Sequence, residues 1–123
     1  MAAKTPEDCD RLFGEHLNAG DAAAVAALYE PQGVLVMGAE HVTGHAAIKH
    51  ALDAFVAMKP TIQMNVTAVV RSGDIAVLYN DWSLTGTGPD GSKVKDSGRA
   101  IEIVRRQADG TWRFVIDDPR ARG

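Results

Sequence analysis

Apolar positions in the N-terminal half recur at three- and four-residue steps, and in the C-terminal half mostly at every second residue. The period changes at Pro60. Cys9, Leu12, Phe13, His16 and Leu17 form one helical stripe. Thr5 can cap this helix, Pro6 suits its first position, and Glu7 and Asp8 face the positive end of its dipole. Gly20 ends it, and Asp21 can cap a second helix over Ala22 to Tyr29, which Pro31 stops. Gly33 to Met37 reads as a short strand whose run Val34-Leu35-Val36-Met37 lacks polar alternation. A third helix opens near Thr43-Gly44, turns Ala47, Ile48, Ala51, Leu52, Phe55 and Val56 inward, and closes at Lys59-Pro60.

Beyond Pro60, Ile62, Met64, Val66, Ala68 and Val70 occupy alternate positions. Turns at Ser72-Gly73-Asp74, Gly88-Pro89-Asp90-Gly91 and Ala108-Asp109-Gly110 separate strands over Ile75 to Thr87, Lys93 to Gln107 and Thr111 to Asp117. Sequential strands joined by tight turns predict an antiparallel meander. Helices first and strands afterwards predict an α+β fold with the helices on one face of the sheet. Phe13, Leu17, Leu28, Ile48, Leu52, Phe55 and Ile62 are expected in the core, and the tail Pro119 to Gly123 is expected to fray.

The 123 residues suit one domain over the whole chain, with 46% hydrophobic and 24% charged residues, the composition of a soluble protein. The single cysteine, Cys9, rules out an intrachain disulfide and a thiolate metal cluster. A net charge of −3 argues against nucleic acid as a partner. No apolar run approaches the roughly 20 residues of a membrane span, and the N-terminus lacks an apolar signal core. No membrane partner and a cytoplasmic location are therefore expected. His41, His45 and His50 do not form a helical metal-binding pair, and neither a phosphate loop nor a dinucleotide fingerprint is present. Neither a metal nor an organic cofactor is expected.

Three local patterns carry a resemblance. They are Leu17-Asn18-Ala19-Gly20-Asp21 between the first two helices, Thr43-Gly44-His45-Ala46-Ala47-Ile48 at the start of the third, and Asp109-Gly110-Thr111-Trp112-Arg113-Phe114 before the last strand. In this order, over nearly the whole chain, they resemble the nuclear transport factor two-like superfamily, in its SnoaL-like and ketosteroid-isomerase-like branch. The resemblance implies a cone-shaped roll, a strongly bent and mostly antiparallel sheet folded over three N-terminal helices with a cavity at the open end. It also implies that the isomerase tyrosine falls on Phe13, its base on Met37 and its second oxyanion donor near Glu102. Phenylalanine cannot donate a hydrogen bond and methionine cannot take a proton at neutral pH, so that mechanism is not expected here.

A different polar set is available. If Tyr79, Asp81 and Ser83 face inward on one strand, Ala100, Glu102 and Val104 on the next and Val115 and Asp117 on the last, then Asp81, Glu102 and Asp117 gather on the concave face. Carboxylates sharing an apolar space raise one another's pKa and suit acid–base work. A slip of one residue would turn every one of these side chains to the other face, and Asn80, Trp82 and Arg99 would line the pocket instead. Phe13, His16, Met37, Phe55, Tyr79 and Trp82 are candidate ligand contacts. Two functions follow: a binder of a small apolar molecule, or an isomerase, cyclase or dehydratase using the three carboxylates. Apolar residues on both faces of the long strands, with Ile101 and Ile103 opposite Ala100 and Val104, predict a homodimer through the sheet.

Overall fold

The computed structural model describes residues 2–123. Three helices, α1 (Pro6–Asn18), α2 (Ala22–Ala26) and α3 (His45–Ala57), pack on a six-stranded sheet. Its strands are β1 (Tyr29–Met37), β2 (Glu40–Thr43), β3 (Thr61–Ser72), β4 (Ile75–Thr87), β5 (Lys93–Arg106) and β6 (Trp112–Asp118), in the spatial order β2-β1-β6-β5-β4-β3. The meander β3 to β6 is antiparallel, as its turns predict, while β1 returns to lie parallel to β6. Among the described residues no helix is long and apolar enough to cross a membrane.

A reciprocal cap starts α1: Thr5 Oγ1 accepts from the Asp8 amide at 3.3 Å, and Asp8 Oδ2 accepts from the Thr5 amide at 3.3 Å. The helix then buries Cys9, Leu12, Phe13 and Leu17 against the sheet. α3 contributes Ile48 and Leu52 to the core, with Phe55 half-buried at its edge. Phe114 stands at the centre, edge-on to Phe13 at 6.2 Å and tilted against Tyr29 at 5.0 Å.

The sequence pattern misplaces two elements. The second helix ends at Ala26 rather than Tyr29, and Tyr29 begins β1, with Pro31 inside that strand. Five residues are barely more than one turn, so α2 is held by its Asp21 cap and its packing on α3 rather than by its own length. The strand β2 was not expected: four residues, none of them buried, carry too little pattern to read. Three register shifts bend the sheet: one in β1 between Tyr29 and Val34, one in β3 between Val66 and Ala68, and one where Ile103 and Val104 of β5 meet Ile116 and Phe114 of β6.

Candidate functional site

Between α1, α3 and the inner face of the sheet lies a cavity of about 570 Å³. Its walls are mostly apolar. Phe13 and Leu17 come from α1, Met37 from β1, Leu52 and Phe55 from α3, Met64 from β3, and Trp82 and Leu84 from β4. Into this apolar space project Asn80, Glu102 and Asp117. Asn80, Glu102 and Asp117 are at most 3% exposed.

Glu102 and Asp117 are direct cross-strand partners on β5 and β6. The β5–β6 bulge puts them there. Trp112 and Phe114 are buried, Val115 is the extra residue, and the alternation resumes one step later so that Asp117 also faces in. Tyr29 Oη donates to Asp117 Oδ2 at 2.5 Å, a charge-assisted distance, and no other protein donor reaches Asp117 among the described residues. His45 Nε2 lies 2.6 Å from the Tyr29 carbonyl oxygen, which can only accept, so this nitrogen carries the proton and ties the start of β1 to α3. Burial pushes the Asp117 carboxyl up to about 7, with Asp10 and Asp118 adding to the rise and the Tyr29 bond opposing it. The Tyr29 hydroxyl is pushed up by its own burial and then by the charge of Asp117.

Glu102 is raised well above the usual carboxylate range, first by burial and then by Asp10, which lies within hydrogen-bonding reach on α1. Asn80 opposes this: its Nδ2 donates to Glu102 Oε2 at 3.2 Å, while its Oδ1 accepts from the Asn65 amide at 2.9 Å. Burial also pushes Asp10 up, to about 6. Glu102 and Asp117 in the cavity wall, with Asp10 behind Glu102, thus form an array of carboxyl groups whose hold on protons is strengthened by burial.

The mouth of the cavity is built by the C-terminal tail. Against expectation the tail does not fray. Trp82 Nε1 donates to the Pro119 carbonyl at 2.8 Å, the Arg120 guanidinium lies 5.3 Å from the Trp82 ring, and Arg120 pairs with Asp96. Arg122 donates to the Ala100 carbonyl at 3.0 Å. Gly98, directly across from Trp82, leaves room for the indole; a Cβ there would stand 2.7 Å from the ring.

Of the residues singled out from sequence, Phe13, Met37, Phe55, Trp82, Glu102 and Asp117 line the cavity, and Asp81, Tyr79 and His16 do not. Asp81 is exposed on the outer face, with Arg122 at 3.4 Å. Tyr79 shares that face and has the Arg122 guanidinium 5.2 Å from its ring. The reason is register: Asn80 pairs with Ala100 and Leu78 with Glu102, so the inward set of β4 is Ala76, Leu78, Asn80, Trp82 and Leu84. His16 is half-buried on α1. At about 100° per residue, Asp10 and Leu17 fall to one side of Phe13 and His16 to the other. Tyr29, Asp10 and Asn80 were not singled out as primary candidates. Asp10 could have been found by its spacing of three and seven from Phe13 and Leu17 on the buried stripe. Among the described residues no group of three or more His, Cys, Asp or Glu is arranged to hold a metal ion.

Comparison with known proteins agrees with this architecture. The solved structure of a ketosteroid isomerase-like protein from Erwinia carotovora atroseptica superposes with a TM-score of 0.80 at 20% identity, covering 91% of this chain and 89% of that one. A nuclear transport factor 2-like superfamily protein from Salmonella enterica gives 0.78 at 18% identity, covering 94% and 89%. A protein from Catenulispora acidiphila, solved in complex with S-DNPA, gives 0.71 at 18% identity, covering 90% and 86%. No curated protein matches the chain. These likenesses show the nuclear transport factor two-like cone fold. The SnoaL-like domain model matches residues 10–120, and with nearly the whole chain inside that match, the protein belongs to the SnoaL-like family.

Proposed function

We propose that the protein is an acid–base enzyme of the isomerase, cyclase or dehydratase kind, acting on a small, largely apolar carbonyl compound held in the cavity. One observation carries this reading: Asp117 sits in the wall of an apolar cavity, its carboxyl bonded among the described residues only by Tyr29 and pushed up to about 7. A carboxyl poised near neutrality is efficient in both directions of proton transfer. In this reading Asp117 takes a proton from carbon and returns it, and Glu102 releases its proton to the substrate oxygen as charge develops on it. Phe13, Met37 and Phe55 hold the apolar body of the substrate. Pure sequestration of an apolar ligand uses the same cavity without the proton transfer.

Deuterium incorporation separates the two. A panel of small cyclic enones and diketones is incubated with the protein in D2O, and exchange at the carbon next to the carbonyl is followed by proton NMR. The reading expects protein-dependent exchange that Asp117→Asn abolishes while binding persists. Binding without exchange assigns a sequestering role, and exchange that survives in the variant removes Asp117 from the chemistry.

We also propose a homodimer through the outer sheet face. Val77 and Tyr79 of β4 pair across the ladder with Ile103 and Ile101 of β5, and Ile103 in turn with Ile116 of β6, which is 39% exposed. This continuous apolar patch suits a second copy of the chain. A monomer in sedimentation at micromolar concentration would overturn it.

A further inference from the structure

Asp10 is fully buried, and neither of its carboxyl oxygens meets a donor among the described residues. Glu102 Oε1 is also buried without a partner, while Oε2 takes the Asn80 amide. The two carboxyl groups lie within hydrogen-bonding reach of each other. Two carboxylates cannot satisfy one another, because both only accept. A carboxyl and a carboxylate can, through one O–H···O bond. A single proton therefore satisfies one orphaned oxygen on each side, Glu102 Oε1 and one oxygen of Asp10.

Placement adds a second argument. Glu102 lines the cavity, whereas Asp10 lies beneath a separate groove on the other side, between α1 and β3 and walled by Glu7, Arg11, Glu15 and Val66, so that local opening of the groove brings water to it. Ile62 and Met64 line both spaces, so one layer of side chains divides them. Gly14 keeps that layer thin, since even a Cβ there would stand 3.2 Å from Met64 Cγ. The carboxyl pair crosses the layer, one member on each side.

We propose that Asp10 and Glu102 share one proton and relay protons between the cavity and the solvent in the groove between α1 and β3. The relay gives the acid–base reading above its exchange with solvent and rests on that reading only for its purpose. When the shared proton leaves Glu102 for an acceptor in the cavity, the Glu102 O–H bond breaks and both carboxyl groups are left ionised. A hydronium ion admitted from the groove then protonates Asp10 and leaves water, and this proton passes on as the Asp10 O–H bond breaks and a new O–H bond forms on Glu102; each electron pair stays on its oxygen. Uptake from the cavity runs the steps in reverse. The groups facing the pair are Cys9 of α1, Tyr29 of β1, Asn80 of β4 and Asp117 of β6. At the groove, Arg11 is taken up by Asp8 and Glu15 at 3.2 and 3.1 Å, so Glu7 and the two paired acids keep the rim acidic. Asp10 acts through Glu102 and is a positioning residue, not a catalytic one.

Side-chain carboxyl 13C NMR tests the shared proton without any substrate. In the wild type, the Asp10 and Glu102 signals should each respond in the same two steps, separated by about two pH units or more, because the steps belong to the pair. Asp10→Asn should leave Glu102 a single step, and Glu102→Gln should do the same for Asp10; either variant suffices if the other does not fold. Independent single steps below about pH 5 for both carboxyls would overturn the sharing. The route is read by the rate at which the protonated carboxyl band deuterates after dilution into D2O. Val66→Trp fills the groove and should slow deuteration about tenfold or more, since the opening that admits water to Asp10 must then also displace the indole. Filling the cavity with anilinonaphthalene sulfonate, with occupancy followed by its fluorescence, should leave the rate nearly unchanged. Slowing by the dye and not by Val66→Trp would overturn the route. Loss of the enone exchange reaction alone would touch the acid–base reading and not the relay.

Discussion

Asp117→Asn should stabilise the protein more the higher the pH, between pH 5 and 8. The wild-type carboxyl is raised from an ordinary 3.8 to about 7 in the folded state. Below the unfolded value both states hold the proton, and the stabilising contribution is fully present. As the pH rises the unfolded chain releases its proton first, so stability falls until the folded carboxyl ionises at about 7, and it is level beyond. From pH 5 to about 7 is two units, and at ~1.36 kcal/mol per unit the wild type loses about 2–3 kcal/mol from this group. Asparagine never ionises, and its Oδ1 can still accept from Tyr29 Oη, so the variant escapes the loss while keeping the bond. Asp10, also raised, to about 6, loses stability over the same window with the same sign in both proteins.

The assay is urea unfolding of both proteins at pH 5, 6, 7 and 8. With a slope of ~1–3 kcal/mol per molar urea for a chain of this size, the midpoint gap should widen by about 1–3 M from pH 5 to 8. Parallel midpoints across the series would show that Asp117 does not titrate in this window. A variant less stable than wild type at pH 8 by more than about 1 kcal/mol would show the carboxylate to be a structural partner. Either result removes the poised carboxyl on which the functional reading rests.

Tyr29→Phe deletes the donor that lowers the Asp117 carboxyl, so the variant should lose about 1–3 kcal/mol, more at pH 8 than at pH 5, by the same urea series. Gly98→Ala drives a methyl group into the Trp82 ring, which should cost about 1–3 kcal/mol in thermal unfolding and shift the tryptophan emission. Ending the chain at Asp118 removes the Pro119 carbonyl and Arg120 from Trp82; dye dissociation from the cavity should then accelerate with little change in unfolding midpoint. Ile103→Glu places a charge at the centre of the outer apolar patch and should give a monomer in sedimentation with the cavity still able to bind dye.

The readable parts of the fold were those with long, regular patterns. The Thr5 cap, the α1 stripe, the change of period at Pro60 and the turn residues each point to one local structure, and together they leave little choice of architecture. The site was less legible because it depends on which face each strand presents. On β4 both alternations are mixed: Leu78, Asn80, Trp82 and Leu84 on one, Val77, Tyr79, Asp81 and Ser83 on the other. Only the pairing of Asn80 with Ala100 and Leu78 with Glu102 decides between them, and pairing is not a local property. Asp117 faces inward as expected, but not by the expected route: the buried residues before it are Trp112 and Phe114 rather than Val115, and the bulge restores the phase. Tyr29 was lost with the assignment of its helix, since a tyrosine at the end of a helix offers no reason to look across to the last strand.

The same bulge that bends the sheet also sets the chemistry. A regular β6 that buried Trp112 and Phe114 would bury Ile116 and turn Asp117 to the outer face, beside Ile101 and Ile103. An ionised group there would interrupt the apolar patch and leave the cavity with one carboxyl from the sheet. With Val115 as the extra residue, Ile116 joins the outer patch and Asp117 comes to stand directly across from Glu102. Like charges directly opposed on a sheet are unfavourable, and burial worsens the repulsion. The pair is tolerable only if protons are retained, with Tyr29 donating to Asp117, Asn80 donating to Glu102, and Asp10 sharing a proton with Glu102 from the other side. A core selected for stability alone would fill these positions with aliphatic side chains, which need no partners. That three carboxyl groups stand there instead, each given a neighbour that can take or give a proton, is the physical reason to look for proton transfer in the cavity.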